Sequence, residues 1–290
     1  MTLTPETCTA IDLDVLHQGM QEAFADFYAP MGLSRGRFGF MLRQRGFDPA
    51  LSRVVRAGER VLAFWLIATD PDACPGRAYV ISAGTSPDHR GRGLAGELFH
   101  AVRTALTQAG RTELRLEVTQ GNSAAERLYA KLGFRPRRDL LCYELEAVPE
   151  PRPLDRRFTL RPVALQELRA AAPACQDWEP TWQNGFRSLE RAGEEAVLLG
   201  VFESEALFGY GALFEPIGHL AQLTVRRDRR RRGLGSALLA GLAARVGAIG
   251  RLAVVNLDAG DEASRRFFEA KGARATVTQT ELTLDLVPQP

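Results

Sequence analysis

Lysine is nearly missing from this chain. Among 37 basic residues in 290, only Lys131 and Lys271 carry an ammonium group, and the rest are arginine. A GC-rich genome, which favours Arg, Ala, Gly and Leu codons, is the plain source of such a bias. Beside a phosphate loop, an arginine cluster has a second meaning, because guanidinium grips phosphate through two parallel hydrogen bonds. The scarcity of lysine also removes one phosphate-binding class. A Walker A loop needs Gly-Lys-Ser/Thr, and neither lysine is followed by Ser or Thr. Cysteine and histidine are as sparse. Cys8, Cys74, Cys142 and Cys175 form no CxxC pair, and His17, His89, His100 and His219 do not cluster with them. No zinc site or redox motif follows from such spacing. No apolar run approaches the ~20 residues of a membrane span, and the first ten residues lack a basic stretch leading into an apolar one. The expectation is a protein without a membrane partner, in the reducing cytoplasm. A net charge of +2 supplies no strong field towards nucleic acid.

What is present is enough apolar material for two cores. At ~100–200 residues per domain the length predicts two domains. The stretch from Val148 to Arg157, rich in Pro and Arg, has neither strand nor helix period and reads as a linker. The expected domains are therefore 1–147 and 158–290, joined by 148–157.

The same series of elements is expected on both sides. In the first half the pattern predicts a helix over Asp14–Phe27, strands over Ser52–Ala57, Arg60–Ile67 and Ala78–Thr85, and a helix over Gly93–Ala109 closed by Gly110. A strand over Thr112–Val118, a helix over Asn122–Leu132 and a final strand over Leu140–Leu145 follow. The second half predicts strands at Ala196–Phe202, Ala206–Phe214 and His219–Arg226, then a helix over Gly233–Ile249. A strand at Arg251–Asn256, a helix over Asp261–Lys271 and a closing strand at Thr276–Leu286 complete it. Residues repeat as well as elements. HRGRGLAGEL matches RRRRGLGSAL, with Arg90 and Arg230 140 apart; LYAKLGF matches FFEAKGA, with Gly133 and Gly272 139 apart. A near-constant offset in two separate motifs implies internal duplication. The edges of the final strands are open to pairing between halves or between chains, and oligomeric state is not readable.

Each half sets a glycine-rich turn between a strand and a helix: Arg90, Gly91, Arg92, Gly93, Leu94, Ala95 and Gly96 in the first, and Arg230, Arg231, Arg232, Gly233, Leu234, Gly235 and Ser236 in the second. Unpaired N–H groups and the helix dipole make a helix start an anion site, and small residues let a pyrophosphate approach the backbone. Gly91 to Gly96 also satisfies the dinucleotide pattern GxGxxG, with Glu117 about twenty residues on. That turn follows three strands instead of opening the first βαβ unit, and its counterpart lacks the third glycine. The two copies share Arg-x-x-Gly-x-Gly/Ala. This resembles the acetyl-CoA pyrophosphate loop of the GNAT N-acetyltransferases, with Ala83, Gly84 and Thr85, and Leu223 and Val225, at the end of the strand before it. The resemblance implies an α/β (α+β) fold of two tandem domains, each a mixed, mostly antiparallel twisted sheet flanked by helices. It also implies acetyl-CoA as cofactor at both loops.

A second stretch strengthens the resemblance in the first half. LEVTQGNSAAERLYAKLGF, from Leu116 to Phe134, is similar to the closing strand and helix of ribosomal-protein alanine acetyltransferases. The resemblance implies that Asn122 contacts the cofactor, Tyr129 protonates the departing sulfur and Glu117 deprotonates the amine. The chemistry calls for such groups: thioester aminolysis forms an oxyanion, expels a thiolate and consumes an amine that is protonated at neutral pH. Backbone N–H groups near Ala83 to Thr85 are the candidate oxyanion donors. Each side chain also has an ordinary reading. Tyr129 fits an amphipathic helix core, Asn122 fits a helix cap, and Glu117 fits a solvated strand face or a partner for Arg115. In the second half Phe268 replaces Tyr129 and Asp261 replaces Asn122. Phenylalanine has no proton to give, so the first half is expected to turn over. The acceptor is a primary amine on a small molecule or peptide. It is expected near Phe24, Phe27, Tyr28, Phe38, Met41 and Trp65 in the first half, or Trp178, Trp182 and Phe186 in the second. Two alternatives remain: an active second half with solvent as the acid, or a CoA-binding module without turnover.

Overall fold

The computed structural model describes residues 3–26, 33–146, 153–246 and 250–286. In chain order the first elements are β1 (Glu6–Thr7), α1 (Leu13–Ala23), α2 (Arg35–Arg45), β2 (Arg53–Ala57), β3 (Arg60–Thr69) and β4 (Arg77–Thr85). Then come α3 (Leu94–Gln108), β5 (Glu113–Thr119), α4 (Ser123–Lys131) and β6 (Arg135–Leu145). The second series is β7 (Phe158–Pro162), α5 (Leu165–Cys175), α6 (Phe186–Ala192), β8 (Ala196–Glu203), β9 (Ala206–Phe214) and β10 (His219–Val225). It ends with α7 (Leu234–Ala243), β11 (Leu252–Asp258), α8 (Glu262–Ala270) and β12 (Arg274–Asp285).

The chain packs as two compact units, but not by a single cut. Unit 1 is Met1–Arg137 together with Thr280–Pro290, and unit 2 is Arg138–Gln279. This differs from the expected 1–147 and 158–290. Each half's last strand completes the other half's unit. Leu282, Leu284 and Leu286 pack into a core with Leu114, Leu116, Tyr129 and Phe134. Tyr143 and Leu145 pack with Leu252, Val254, Leu257 and Phe268. β12 alternates polar and apolar residues up to Leu286, and β6 runs apolar from Leu140 to Tyr143, so both strands offer an apolar face to a core. Polar contacts secure the choice. Thr283 Oγ1 donates to Glu113 Oε1 at 2.9 Å, and the Leu286 N–H donates to the Thr112 carbonyl at 2.8 Å. In unit 2 Arg251 Nη1 donates to Glu144 at 2.7 Å, and Leu252 to Val254 pair antiparallel with Leu145 to Tyr143.

Within unit 1 the strand order is β1-β2-β3-β4-β5-β12; within unit 2 it is β6-β11-β10-β9-β8-β7. The resolved ladders are antiparallel except β4 with β5 and β10 with β11, one parallel pair in each unit. The alternation in β5 buries Leu114, Leu116 and Val118 and leaves Glu113, Arg115 and Glu117 on the opposite face. α3 covers the buried face through Leu94, Leu98, Phe99, Val102 and Leu106. α1 covers the other face and comes so close to β4 that a Cβ on Gly84 would lie 2.9 Å from the Ala23 Cβ and 2.8 Å from the Phe64 ring. Only glycine fits there.

Three expected bounds shift. The helix expected over Gly233–Ile249 ends at Ala243, because the Arg245 and Val246 N–H groups turn back to Leu242 and Ala243 in tight i−3 bonds. Val246 stays buried, so the apolar pattern outlasts the helix. The helix expected over Asp14–Phe27 ends at Ala23, with Phe27 outside the described residues. β6 begins at Arg135, five residues before its apolar alternation starts. Of the expected linker, 148–152 lies outside the described residues. Among the described residues no helix is long and apolar enough to cross a membrane, and no cluster of His, Cys, Asp or Glu is placed to hold a metal ion.

Candidate active site

Both units open a slot in the same way. β4 and β5 pair only from Arg77 to Tyr79 against Glu113 to Arg115, and then part, although β4 runs on to Thr85 and β5 to Thr119. β10 and β11 pair only at His219 and Leu220 against Ala253 and Val254. Just beyond, each inner strand carries a bulge: Ile81 is the extra residue opposite Leu66 and Ile67, and Ala221 the extra residue opposite Leu213 and Ala212. The bulges lie 140 residues apart, the offset of the loops. A bulge re-aims the backbone beside it, here along the strand ends that hold Ala83 to Thr85 and Leu223 to Val225.

The loops close over the slots with matching backbones. Gly91 and Gly93 have φ of 73° and 83°; Arg231 and Gly233 have 64° and 84°. Arg231 thus occupies a left-handed position where the first copy uses glycine, at a cost that tertiary contacts must offset. The N–H groups of Leu94 and Ala95, and of Leu234 and Gly235, have no hydrogen bond among the described residues. They lead α3 and α7 with the positive end of each helix dipole.

The arginines of the loops divide into two roles. Arg90 donates to the Thr85 carbonyl at 3.2 Å, to the Ala23 carbonyl at 2.9 Å, and to both Asp26 oxygens at 2.7 and 2.8 Å. Arg230 repeats this with the carbonyls of Val225 and Cys175, at 3.0 and 3.1 Å, and with Asp177 at 2.6 Å. These two guanidinium groups tie the loop to the end of the first helix of each unit. Arg92, Arg231 and Arg232 are exposed and have no ion pair or hydrogen bond among the described residues. They are the cations left for a phosphate.

Asn122 caps α4, its Oδ1 accepting from the Ala125 N–H at 3.3 Å. Asp261 caps α8 in the same manner, at 3.0 Å from Ser264, and also accepts from Trp178 Nε1 at 3.0 Å. Tyr129 is 8% exposed and stands edge-on to Trp65 and Phe134, with centroids 6.0 and 5.6 Å away. Its hydroxyl has no hydrogen bond among the described residues, and burial pushes it up to about 12. Tyr129 belongs to the α3 face of the sheet, whereas Glu117 projects from the opposite face, where its Oε2 accepts from the buried Tyr79 hydroxyl. A thioester lodged between the parting strands would have the Tyr129 face on one side and the Glu117 face on the other.

In unit 2 Phe268 fills the Tyr129 position, stacked 6.3 Å from Tyr143. A cavity of about 850 Å³ lies at this loop. Leu223, Val225, Arg230, Arg231 and Gly233 to Ser236 line it, together with Trp178, Phe267 and Phe268; Arg232 does not. Trp65 and Phe38 are core residues, 1% and 0% exposed, and of the aromatics expected near an acceptor Trp178 alone lines this cavity; Phe27 and Tyr28 lie outside the described residues. The sequence reading missed Tyr79, Asp26 and Asp177. Each meets its partner across more than 35 residues of chain, and no local spacing signals such a pair.

The GNAT acetyltransferase family model matches residues 18–134, which contain the first slot, loop and Tyr129. This part of the chain is a GNAT domain. A second family model, FR47-like protein, matches residues 199–282, spanning the second loop. Among solved structures, a GCN5-related N-acetyltransferase from Sphaerobacter thermophilus is similar over 99% of this chain and 97% of its own, with a TM-score of 0.78 at 17% identity. A tandem GNAT protein from the clavulanic acid biosynthesis pathway, solved without AcCoA, is similar over 100% and 99%, with a TM-score of 0.71 at 17% identity. At this identity the likeness is one of fold: a tandem GNAT architecture. No match is found among curated proteins. GNAT membership supports acyl transfer as the general activity.

Proposed function

We propose that unit 1 of this GNAT protein transfers an acetyl group from acetyl-CoA to a primary amine of a small molecule or peptide, and that unit 2 binds CoA without a tyrosine acid. The carrying observation is the Tyr129 hydroxyl, unpartnered within the described residues and held on the α3 side of the β4–β5 slot. In this reading the pyrophosphate sits on the amides of Leu94 and Ala95 with Arg92 beside it, and the pantetheine arm enters the slot. Ala83 to Thr85 supply backbone donors to the carbonyl. Glu117 removes a proton from the amine on the far face, and Tyr129 passes its proton to the leaving sulfur. The phenol is protonated at neutral pH, as a general acid must be, and burial, which pushes it up, makes the proton transfer depend on charge developing on the sulfur. Tyr129→Phe is expected to lower kcat by about 10²–10⁴ with little change in KM for acetyl-CoA. An unchanged kcat would remove Tyr129 from the mechanism.

The unit 2 cavity favours a second reading, in which the loop at Arg230 to Ser236 serves turnover and solvent protonates the sulfur. In that case Tyr129→Phe leaves the rate intact and Gly235→Trp abolishes it.

A further inference from the structure

Tyr79 is the buried group that this mechanism leaves without a task. It sits on β4 at the last paired position before the slot, opposite Arg115, and is 2% exposed. A phenol of this size in a core ordinarily either packs dry or satisfies its hydroxyl on a backbone carbonyl. Here the hydroxyl crosses to β5 and donates to Glu117 Oε2. The bond spans the two strands where they begin to separate, two residues beyond Arg115. Glu117 Oε1 is buried and Oε2 takes the phenol's hydrogen bond, and a carboxylate that must take a proton from an amine needs one position.

We propose that Tyr79 is a positioning residue for unit 1: its hydroxyl fixes the Glu117 carboxylate at the mouth of the β4–β5 slot in its ionised, proton-accepting form. The inference rests on the reading of Glu117 as base. A donor to a carboxylate stabilises the charged state. Burial first, and then the Glu117 charge, push the Tyr79 phenol well above its ordinary range, so it remains a donor throughout the working pH. Other charged groups act on the same place. Arg45 comes from α2 and donates to the Ile81 carbonyl at 3.3 Å, Glu281 comes from β12, and both influence the Tyr79 hydroxyl. Arg137 from β6 holds Glu281 at 2.6 Å, and Arg115 on β5 itself holds Glu113 at 2.8 Å. Tyr79→Phe removes one phenolic oxygen and leaves the Arg137–Glu281 and Arg115–Glu113 pairs in place.

The test has two readouts on wild type, Tyr79→Phe and Glu117→Gln. The first is a carbon-13 titration of protein labelled at the glutamate carboxyl, with Glu117→Gln identifying the resonance. The second is the acidic limb of kcat/KM, followed by CoA thiol release with whichever amine of a primary-amine panel reacts fastest. The amine titrates alike with every variant, so a difference between variants belongs to the enzyme. Expected is an upward move of about one pH unit in both the Glu117 midpoint and the acidic limb of Tyr79→Phe, with the alkaline limb unmoved. A static midpoint, or a midpoint that moves while the limb does not, overturns the proposal. If Tyr79→Phe does not fold, Glu117→Asp, labelled at the aspartate carboxyl, withdraws the carboxylate from the phenol. The same joint shift is expected there, and its absence overturns the proposal equally. Full activity in Glu117→Gln would instead sink the base reading, while the titration still reports on the Tyr79–Glu117 bond.

Discussion

Arg90 holds Asp26 through two parallel hydrogen bonds of 2.7 and 2.8 Å while its remaining donors reach the carbonyls of Thr85 and Ala23. One guanidinium thus ties together the end of β4, the end of α1 and the start of the glycine-rich loop. Arg90→Lys keeps the charge and loses the fork. It is expected to raise KM for acetyl-CoA about tenfold with little change in Tm, since the pair is about half exposed and contributes little to stability. Arg92→Ala is expected to raise KM in a way that fades as salt is added, because a free cation over phosphate is screened. Steady-state kinetics at two ionic strengths separates the two roles.

Strand exchange makes unit 1 depend on the end of the chain. Leu282, Leu284 and Leu286 are 7%, 6% and 2% exposed in its core. Burying each contributes about 1.5–3 kcal/mol, and together they are comparable with the roughly 5–15 kcal/mol that stabilises a whole domain. A chain ending at Gln279 is expected to lose the cooperative unfolding of unit 1. The readout is urea-dependent Trp65 fluorescence in a background with Trp178→Phe and Trp182→Phe. A midpoint equal to that of the full-length chain would contradict the exchange.

Glu113 gives unit 1 an acid-sensitive tie to its borrowed strand. Burial pushes its carboxyl up, but Arg115, Thr283 and Arg77 outweigh this and hold it at about 2. An unfolded glutamate titrates near ~4.3. The folded value is the lower, so the contribution is fully present above ~4.3 and is lost as pH falls through about 2. Its size is on the order of 1–3 kcal/mol, the upper end being a bound for a side chain a quarter exposed. Glu113→Gln is expected to destabilise unit 1 at pH 7 and to flatten the fall in stability between pH 4.5 and 2, measured by urea unfolding.

What could be read in the chain before its structure was what local backbone physics dictates. The turns at Gly91–Gly93 and Arg231–Gly233, the apolar spacing of α3 and the caps at Asn122 and Asp261 announce themselves within a few residues. Tyr129 was singled out by resemblance, and its helix spacing already placed it on the apolar face that the structure buries. The exchange of β6 and β12 was not legible, because Leu140 to Leu145 and Leu282 to Leu286 both offer an apolar face and nothing local marks which core each enters. The Arg90–Asp26 and Tyr79–Glu117 bonds were hidden for a related reason. A side chain's partner across 64 or 38 residues is decided by the fold, and Glu117 by itself reads as a strand-face carboxylate.

The central claim is that both loops are CoA sites and that only the first lies beside a proton-donating phenol. Ala95 and Gly235 lie 140 residues apart, each at the second residue of its helix with an N–H that has no hydrogen bond among the described residues, so tryptophan at either blocks one loop alone. Calorimetric titration of acetyl-CoA is predicted to give two sites per chain for the wild type, and one each for Ala95→Trp and Gly235→Trp. Turnover is predicted to be lost in Ala95→Trp only. No binding by the wild type, or turnover that survives Ala95→Trp and disappears in Gly235→Trp, would contradict it.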